Sequence, residues 1–307
     1  MKIDARFPKP AIIIGGCGRS GTSLLLSVLS AHPSVFAIPN ETSAFCPTAY
    51  TDRLDLDAPF ALDRIRDILR TSEIKKGATR WCEKTPKNVL FFGRLLKTFG
   101  PDVRLLNIVR DGRDVITSRH PSEPKSSWVG LERWVQDVGA GAPFDTHPQV
   151  LVVKYEHLVA AFSDTMKRIC GFLEEEATPE ILDWHRHTTL RTHGAWDGSV
   201  KAIHGQSVGK WRRPENLESV SQMTADSDAF RLLKRYGYVP ADARPTGAWA
   251  PGAMARRFNR RLPAGVKRLV PEKLKDAARR SLRKGNHEGE TAGQDPAKPP
   301  GSPSKQK

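Results

Sequence analysis

Apolar residues in this chain gather in short β-rich runs, each followed by a stretch with helical spacing. Ala11 to Gly15 reads AIIIG, and from Thr22 to Ala31 the residues Leu24, Leu25, Leu26, Val28 and Leu29 form the inward face of a helix. Val35 to Ile38 is a second short strand, ending in the polar turn Pro39-Asn40-Glu41-Thr42. Ala58 to Leu69 is helical in pattern, and Ala78 to Glu83 predicts a strand running into Lys84-Thr85-Pro86. Asn88 is placed to cap a helix through Leu96. Val103 to Val109 (VRLLNIV) predicts a central strand, Gly112 to Arg119 a returning helix, Val150 to Lys154 another strand, and Ala160 to Leu173 another helix. This alternation implies right-handed crossovers and an α/β fold on a mainly parallel sheet. Ligands then sit at the carboxyl ends of the strands. The polar sequences Cys17 to Ser23, Asn40-Glu41, Lys84 and Arg110 to Arg113 fall there.

The first of these ends carries the clearest chemistry. Gly15-Gly16-Cys17-Gly18-Arg19-Ser20-Gly21-Thr22-Ser23 leaves a strand and enters a helix, so its backbone N–H groups can converge on an anion at the positive helix end. A triphosphate-binding loop has a lysine directly after its second motif glycine, but Thr22 stands there. Arg19 supplies a cation three residues earlier, and no aspartate ends an apolar strand to hold magnesium. Cys17 reads as a small residue that fits the turn, with helix-end amides and Arg19 able to lower its pKa. A second anion site is expected after Val109, where Arg110 leaves the strand and Ser118 lies two helical turns onward; an arginine fork with a hydroxyl suits a terminal phosphate. Arg113 is expected to pair with Asp111 or Asp114.

Charge changes the picture mainly at the end of the chain. The 307 residues carry a net charge of +15, and Pro251 to Lys284 holds twelve Lys or Arg against Glu272 and Asp276. The remaining +5 is ordinary for a domain that handles anions. The expected organisation is a catalytic domain over residues 1–250, a basic amphipathic segment over 251–284 and a disordered tail over 285–307. In the basic segment Leu274, Ala278 and Leu282 recur at four-residue spacing after Pro271, which allows a helix packed on the domain or peripheral attachment to an anionic membrane. Nucleic-acid binding is disfavoured because no aromatic stacking ladder accompanies the charge. The four cysteines form no close metal-binding pair, and Met1 to Pro10 lacks the apolar core of a signal peptide. A cytoplasmic enzyme without a metal site, peripheral at the inner membrane face if the basic segment binds lipid, is the expectation.

Five segments in order, IIIGGCGRSGTSLLLSVLSAHPSV, CEKTPKN, LLNIVRDGRDVITSRH, VVKYEHL and VGKWRRP, resemble the sulfotransferase family that uses 3′-phosphoadenosine-5′-phosphosulfate (PAPS). They are closer to its tyrosylprotein and Golgi-type carbohydrate branches than to its cytosolic branch, and span Ile12 to about Tyr238. The resemblance implies a P-loop, nucleotide-kinase-like domain with PAPS as donor and adenosine 3′,5′-bisphosphate (PAP) as product. It implies donor contacts from Gly18, Arg19, Ser20, Gly21, Thr22, Ser23, Arg110, Ser118, Tyr155 and Lys210, with Arg110 and Ser118 on the 3′-phosphate. Lys84 and Arg19 would touch the transferring group or the leaving phosphate, and Glu41 would be the general base. Two departures stand out: Gly18 replaces the usual loop proline, and Ser199, Ser207 or neither corresponds to the serine that assists the leaving group.

The acceptor is expected to bind outside the shared core, in Phe45 to Leu69, Ser122 to Pro148 and Leu182 to Gln206. Trp128, Trp134, Trp184 and Trp196 are candidate platforms for a sugar face, although most such tryptophans are packing residues, and the expected cytoplasmic location, which removes the usual secretory peptide substrates, favours a carbohydrate or glycolipid hydroxyl over peptide tyrosine. A P-loop kinase, which would need magnesium, and a non-catalytic nucleotide-binding protein are the competing readings.

Overall fold

The computed structural model describes residues 2–51, 54–120, 123–190 and 205–245, with the side chains of 120 and 123–126 excluded. The basic segment 251–284, the tail 285–307, Trp196, His193 and Ser199 lie outside the described residues.

Five parallel strands form the centre: β1 (Ala11–Gly16), β2 (Val35–Ala37), β3 (Arg80–Lys84), β4 (Val103–Val109) and, after the β5–β6 pair below, β7 (Val150–Lys154). Their order is β2-β3-β1-β4-β7, so β1 is central and the chain returns to its other side to add β4. That change of direction opens the carboxyl end of β1 for a ligand. Of the inner strands, β1 and β3 are buried throughout and β4 is buried except at Arg104 near its start, as a sheet covered on both faces requires. Register sets the ends side by side: Ile14 lies opposite Lys84, and Gly16 opposite Ile108.

Helix α1 (Thr22–Ser30) packs Leu25, Leu26, Val28 and Leu29 onto this sheet. Helix α2 (Leu62–Thr71) follows a long loop, and α3 (Phe92–Phe99) precedes β4. Asn88 does not cap α3 as expected: a 3₁₀ stretch over Pro86–Phe91 intervenes, and the Asn88 amide turns inward to bond the end of β1. Helix α4 (Gly112–Ile116) is shorter than its pattern, because Ser127 Oγ donates to the Ile116 carbonyl and Trp128 N–H to that of Ser118. The chain there turns into the antiparallel pair β5 (Arg119–His120) and β6 (Glu123–Ser127). Helix α5 (Leu131–Gly141) lies against α4 and a later helix over Ser227–Arg235. The helix expected over 160–173 is α7 (Phe162–Phe172), and a separate short helix, α6 (Tyr155–Ala160), precedes it, the two parted at Ala161 with φ −131°. Short helices α8 (Pro179–Leu182) and α9 (Trp184–His187) lead to α10 (Leu217–Ala225) and α11 (Ser227–Arg235), the last capped by Asp226 through the amides of Asp228 and Ala229. No helix among the described residues is long and apolar enough to cross a membrane.

Candidate active site

The turn between β1 and α1 is built from left-handed backbone: φ is +148° at Gly16, +66° at Arg19 and +95° at Gly21. At Gly21 a side chain is excluded twice, by the dihedral and by Tyr155, whose Cδ2 would lie 2.5 Å from an added Cβ. Arg19 adopts the same region without being glycine, a conformation that costs about 1–3 kcal/mol unless its surroundings enforce it. They do so here, because Arg110 Nη1 donates to the Arg19 carbonyl at 2.8 Å and Arg19 Nε donates to Ser118 Oγ at 3.0 Å. Arg110 and Ser118 therefore meet at Arg19, although Ser118 lies beyond the end of α4 rather than on it.

The polar groups here suit an anion. Arg110 is buried, its guanidinium stacks on the Tyr155 ring at 4.4 Å, and Nη2 donates to the Ser207 carbonyl. Among the described residues no carboxylate pairs with Arg110, and its Nε has no hydrogen-bond partner. Ser20 Oγ, fully buried in the loop, is likewise unsatisfied. Arg19 also stacks on Trp128 at 5.0 Å, and burial followed by the neighbouring Arg110 charge pulls its pKa below the ordinary arginine value. Buried donors without acceptors are costly. These residues fit a bound phosphate ester. Thr22 is buried and Ser23 half-buried in the first turn of α1, with Gly18 at the loop's outer curve beside Arg133.

The remaining expected donor contacts divide. Tyr155 is buried between Gly21 and Arg110, so it shapes the loop with its ring. Lys210 is exposed in a 3₁₀ turn, Lys210–Arg212, that is docked on α4: the Asp114 carboxylate accepts from Gly209 N at 2.7 Å and Trp211 N at 2.9 Å. Arg113 stacks on Trp211 at 3.8 Å and pairs with Asp111 at 2.7 Å, not with Asp114. Asp114, considered above only as a partner for Arg113, is buried and instead anchors this turn; its only signal for that role is its place one helical turn after the capping Asp111.

At the end of β3 the Lys84 ammonium, whose side chain is 1% exposed, lies 2.6 Å from Glu41 Oε1, whose side chain is 34% exposed. The pair thus sets a buried cation beside the glycine loop and a carboxylate at the surface. Behind it, the fully buried Glu83 accepts from Thr42, Thr85 and Asn88, and burial raises its carboxyl pKa against those hydrogen bonds. Cys17 is fully buried, the small residue that fits the turn, and desolvation with the nearby Asp137 charge pushes its thiol well above the usual value, so the lowered pKa that Arg19 and the helix end allowed is not found. Two expected sugar platforms are also core residues: Trp134 is fully buried with its indole N–H on the Arg110 carbonyl at 3.3 Å, and Trp184 is buried beneath the sheet helices. Trp128 is half-buried and carries Arg19. Among the described residues no group of three His, Cys, Asp or Glu side chains could hold a metal.

A parallel α/β sheet whose central strand ends in a left-handed anion loop, flanked by a buried arginine without a carboxylate, defines a P-loop-type group-transfer protein. Residues 10–179 match the sulfotransferase family model, and the chain belongs to that family. It is a sulfotransferase that draws its sulfuryl group from PAPS. Solved structures of similar fold include a sulfotransferase domain of the Synechococcus PCC 7002 olefin synthase (17% identity, TM-score 0.51, 78% of this chain and 98% of that one). Another is a sulfotransferase domain of the curacin biosynthetic pathway (17% identity, TM-score 0.52, 76% of this chain and 99% of that one). Among curated relatives, protein-tyrosine sulfotransferase 1 of Danio rerio is 24% identical over 296 residues, covering 85% of this chain and 81% of its own length. Protein-tyrosine sulfotransferase A of Caenorhabditis elegans is 24% identical over 288 residues, covering 81% and 72%.

Proposed function

We propose that this enzyme transfers the sulfuryl group of PAPS to a tyrosyl hydroxyl of a polypeptide, with Glu41 as general base. The observation that carries the reading of the chemistry is the Glu41–Lys84 pair, 2.6 Å apart at the end of the strand beside the glycine loop. An acceptor hydroxyl is a weak nucleophile until its proton is removed, and the partly exposed Glu41 carboxylate can reach an acceptor from solvent. Bound PAPS supplies a sulfuryl group whose S–O bond to the 5′-phosphate breaks as the bond to the acceptor oxygen forms. The chain's own part is electrostatic and positional, as in phosphoryl transfer. The amides from Gly18 to Ser23 with the Ser20 hydroxyl hold the 5′-phosphate, Lys84 and Arg19 stand as fixed cations for the charge that gathers there, and Arg110 with Ser118 holds the 3′-phosphate. Tyr155 keeps Arg110 stacked, and Lys210 adds a cation at the rim.

The acceptor class rests on the named relatives, which match this chain over most of its length, and on the burial of Trp134 and Trp184. Two of the four tryptophans that could have offered a sugar face are thereby spoken for. The test is incubation with sulfur-labelled PAPS and, in parallel, tyrosine-containing peptides and a panel of glycans. Labelled peptide with equal release of PAP, lost when the peptide tyrosine is phenylalanine, is the expected result. Label confined to glycans would overturn the tyrosine acceptor.

A further inference from the structure

We propose that Glu83 is a positioning residue for sulfuryl transfer, its carboxylate tying the loop that carries Glu41 to the strand that carries Lys84 and to the strand end from which the glycine loop departs. The inference rests on the reading of Glu41 as the general base.

Glu83 is fully buried, and its two oxygens collect donors from three segments. Oε1 accepts from Thr42 Oγ1 at 2.9 Å, from Thr42 N at 3.4 Å and from Thr85 Oγ1 at 2.6 Å. Oε2 accepts from Asn88 Nδ2 at 2.7 Å, and the same amide group donates to the Ile14 carbonyl at 3.1 Å, in the strand that ends at Gly16. Ala44 N donates to Thr42 Oγ1 at 3.1 Å and Ser43 N to Thr85 Oγ1 at 3.3 Å, which leaves each hydroxyl its own hydrogen to donate to Glu83. Every neighbour is thus a donor, which suits an acceptor-only carboxylate. Arg64 Nη1 donates to the Thr42 carbonyl at 3.1 Å from the opposite side, and Ser43 is held at φ +49°.

A structural post does not need this chemistry. No Lys or Arg among the described residues forms an ion pair with Glu83, and a buried carboxylate supported only by neutral donors is expensive compared with an apolar or amide side chain of similar size. What the carboxylate provides is a single acceptor on which the residue after Glu41, the residue after Lys84 and the support of β1 all converge. Displacement of a catalytic group by about 1 Å can lower a rate by about 10²-fold, so this convergence bears on turnover.

Thr42→Val removes the hydroxyl link with little change in volume, and Thr42→Ser keeps it. Each is made alone and with Glu41→Gln, and turnover is read as PAP release from PAPS, with a tyrosine-containing peptide as acceptor and with water alone. Expected are a kcat about 10-fold or more below wild type for Thr42→Val, recovery toward wild type in Thr42→Ser, and an unchanged KM for PAPS. Added to Glu41→Gln, Thr42→Val should lower kcat no further, because its effect runs through the base. Glu83→Gln should reproduce the Thr42→Val pattern; if it fails to fold, the Thr42 pair carries the test. Wild-type kcat in Thr42→Val, equal losses in Val and Ser, or a further loss on top of Glu41→Gln would each overturn the role of Glu83. A Glu41→Gln enzyme with wild-type kcat would instead overturn the base itself.

Discussion

The two ends of the site are built on opposite terms. Around Glu83 each carboxylate oxygen has partners, and the hydroxyls that serve it are themselves satisfied. Around Arg19 and Arg110, by contrast, Ser20 Oγ and Arg110 Nε are buried without partners among the described residues, and Arg110 is held by two carbonyls and an aromatic ring. The satisfied end is finished before any ligand arrives, as a base that must stand still requires. The unsatisfied end keeps its hydrogen-bonding capacity for an anion, and binding there relieves a desolvation cost already incurred in folding.

That contrast can be broken by substitution. Asn88→Ala strips a donor from the buried Glu83 carboxylate and from the Ile14 carbonyl, and should lower unfolding stability by about 3 kcal/mol in denaturant titration, with or without PAP. Glu41→Gln should reduce turnover about 10²-fold, near 2.7 kcal/mol, while PAP affinity stays close to wild type. Arg110→Ala should weaken PAP binding about 10- to 30-fold by calorimetry, with a much smaller effect on adenosine 5′-phosphate, which lacks the 3′-phosphate. Equal losses for both nucleotides would take Arg110 off the 3′-phosphate. Ser20→Ala is the sharpest discriminator and the smallest effect: deleting a buried hydroxyl with no partner among the described residues should raise ligand-free stability by about 1 kcal/mol, by removing its desolvation cost, while weakening PAP binding several-fold. A large loss of ligand-free stability from Ser20→Ala would show that the donor end is as finished as the base end.

Much of the scaffold was legible along the chain. The AIIIG run, its glycine turn and the leucine-rich stretch after it became β1, the loop and α1 nearly residue for residue, since hydrophobic period and glycine content are local properties. Residues Ile12 to Val35 also carry the first family motif, so the anion loop was readable as chemistry. Boundaries drifted where distant groups intervened: α4 stops at Ile116 because Ser127 and Trp128 bind the carbonyls that would have continued it. Asn88 looked like a helix cap because it precedes an apolar run, yet Glu83 and Ile14 claim its amide.

By itself, then, the sequence determined the order of strands and helices, the anion loop and the identities of the charged groups near it, because each is written in neighbouring residues. Only the tertiary structure decided which of those groups meet. Lys84 finds Glu41 across 43 positions, Arg19 finds Ser118 across 99, and Trp134 and Trp184 prove to be core rather than platforms. Burial and pairing depend on which surfaces the β2-β3-β1-β4-β7 order stacks together. That ordering is decided by the cooperative packing of the whole sheet, to which no single segment holds the key.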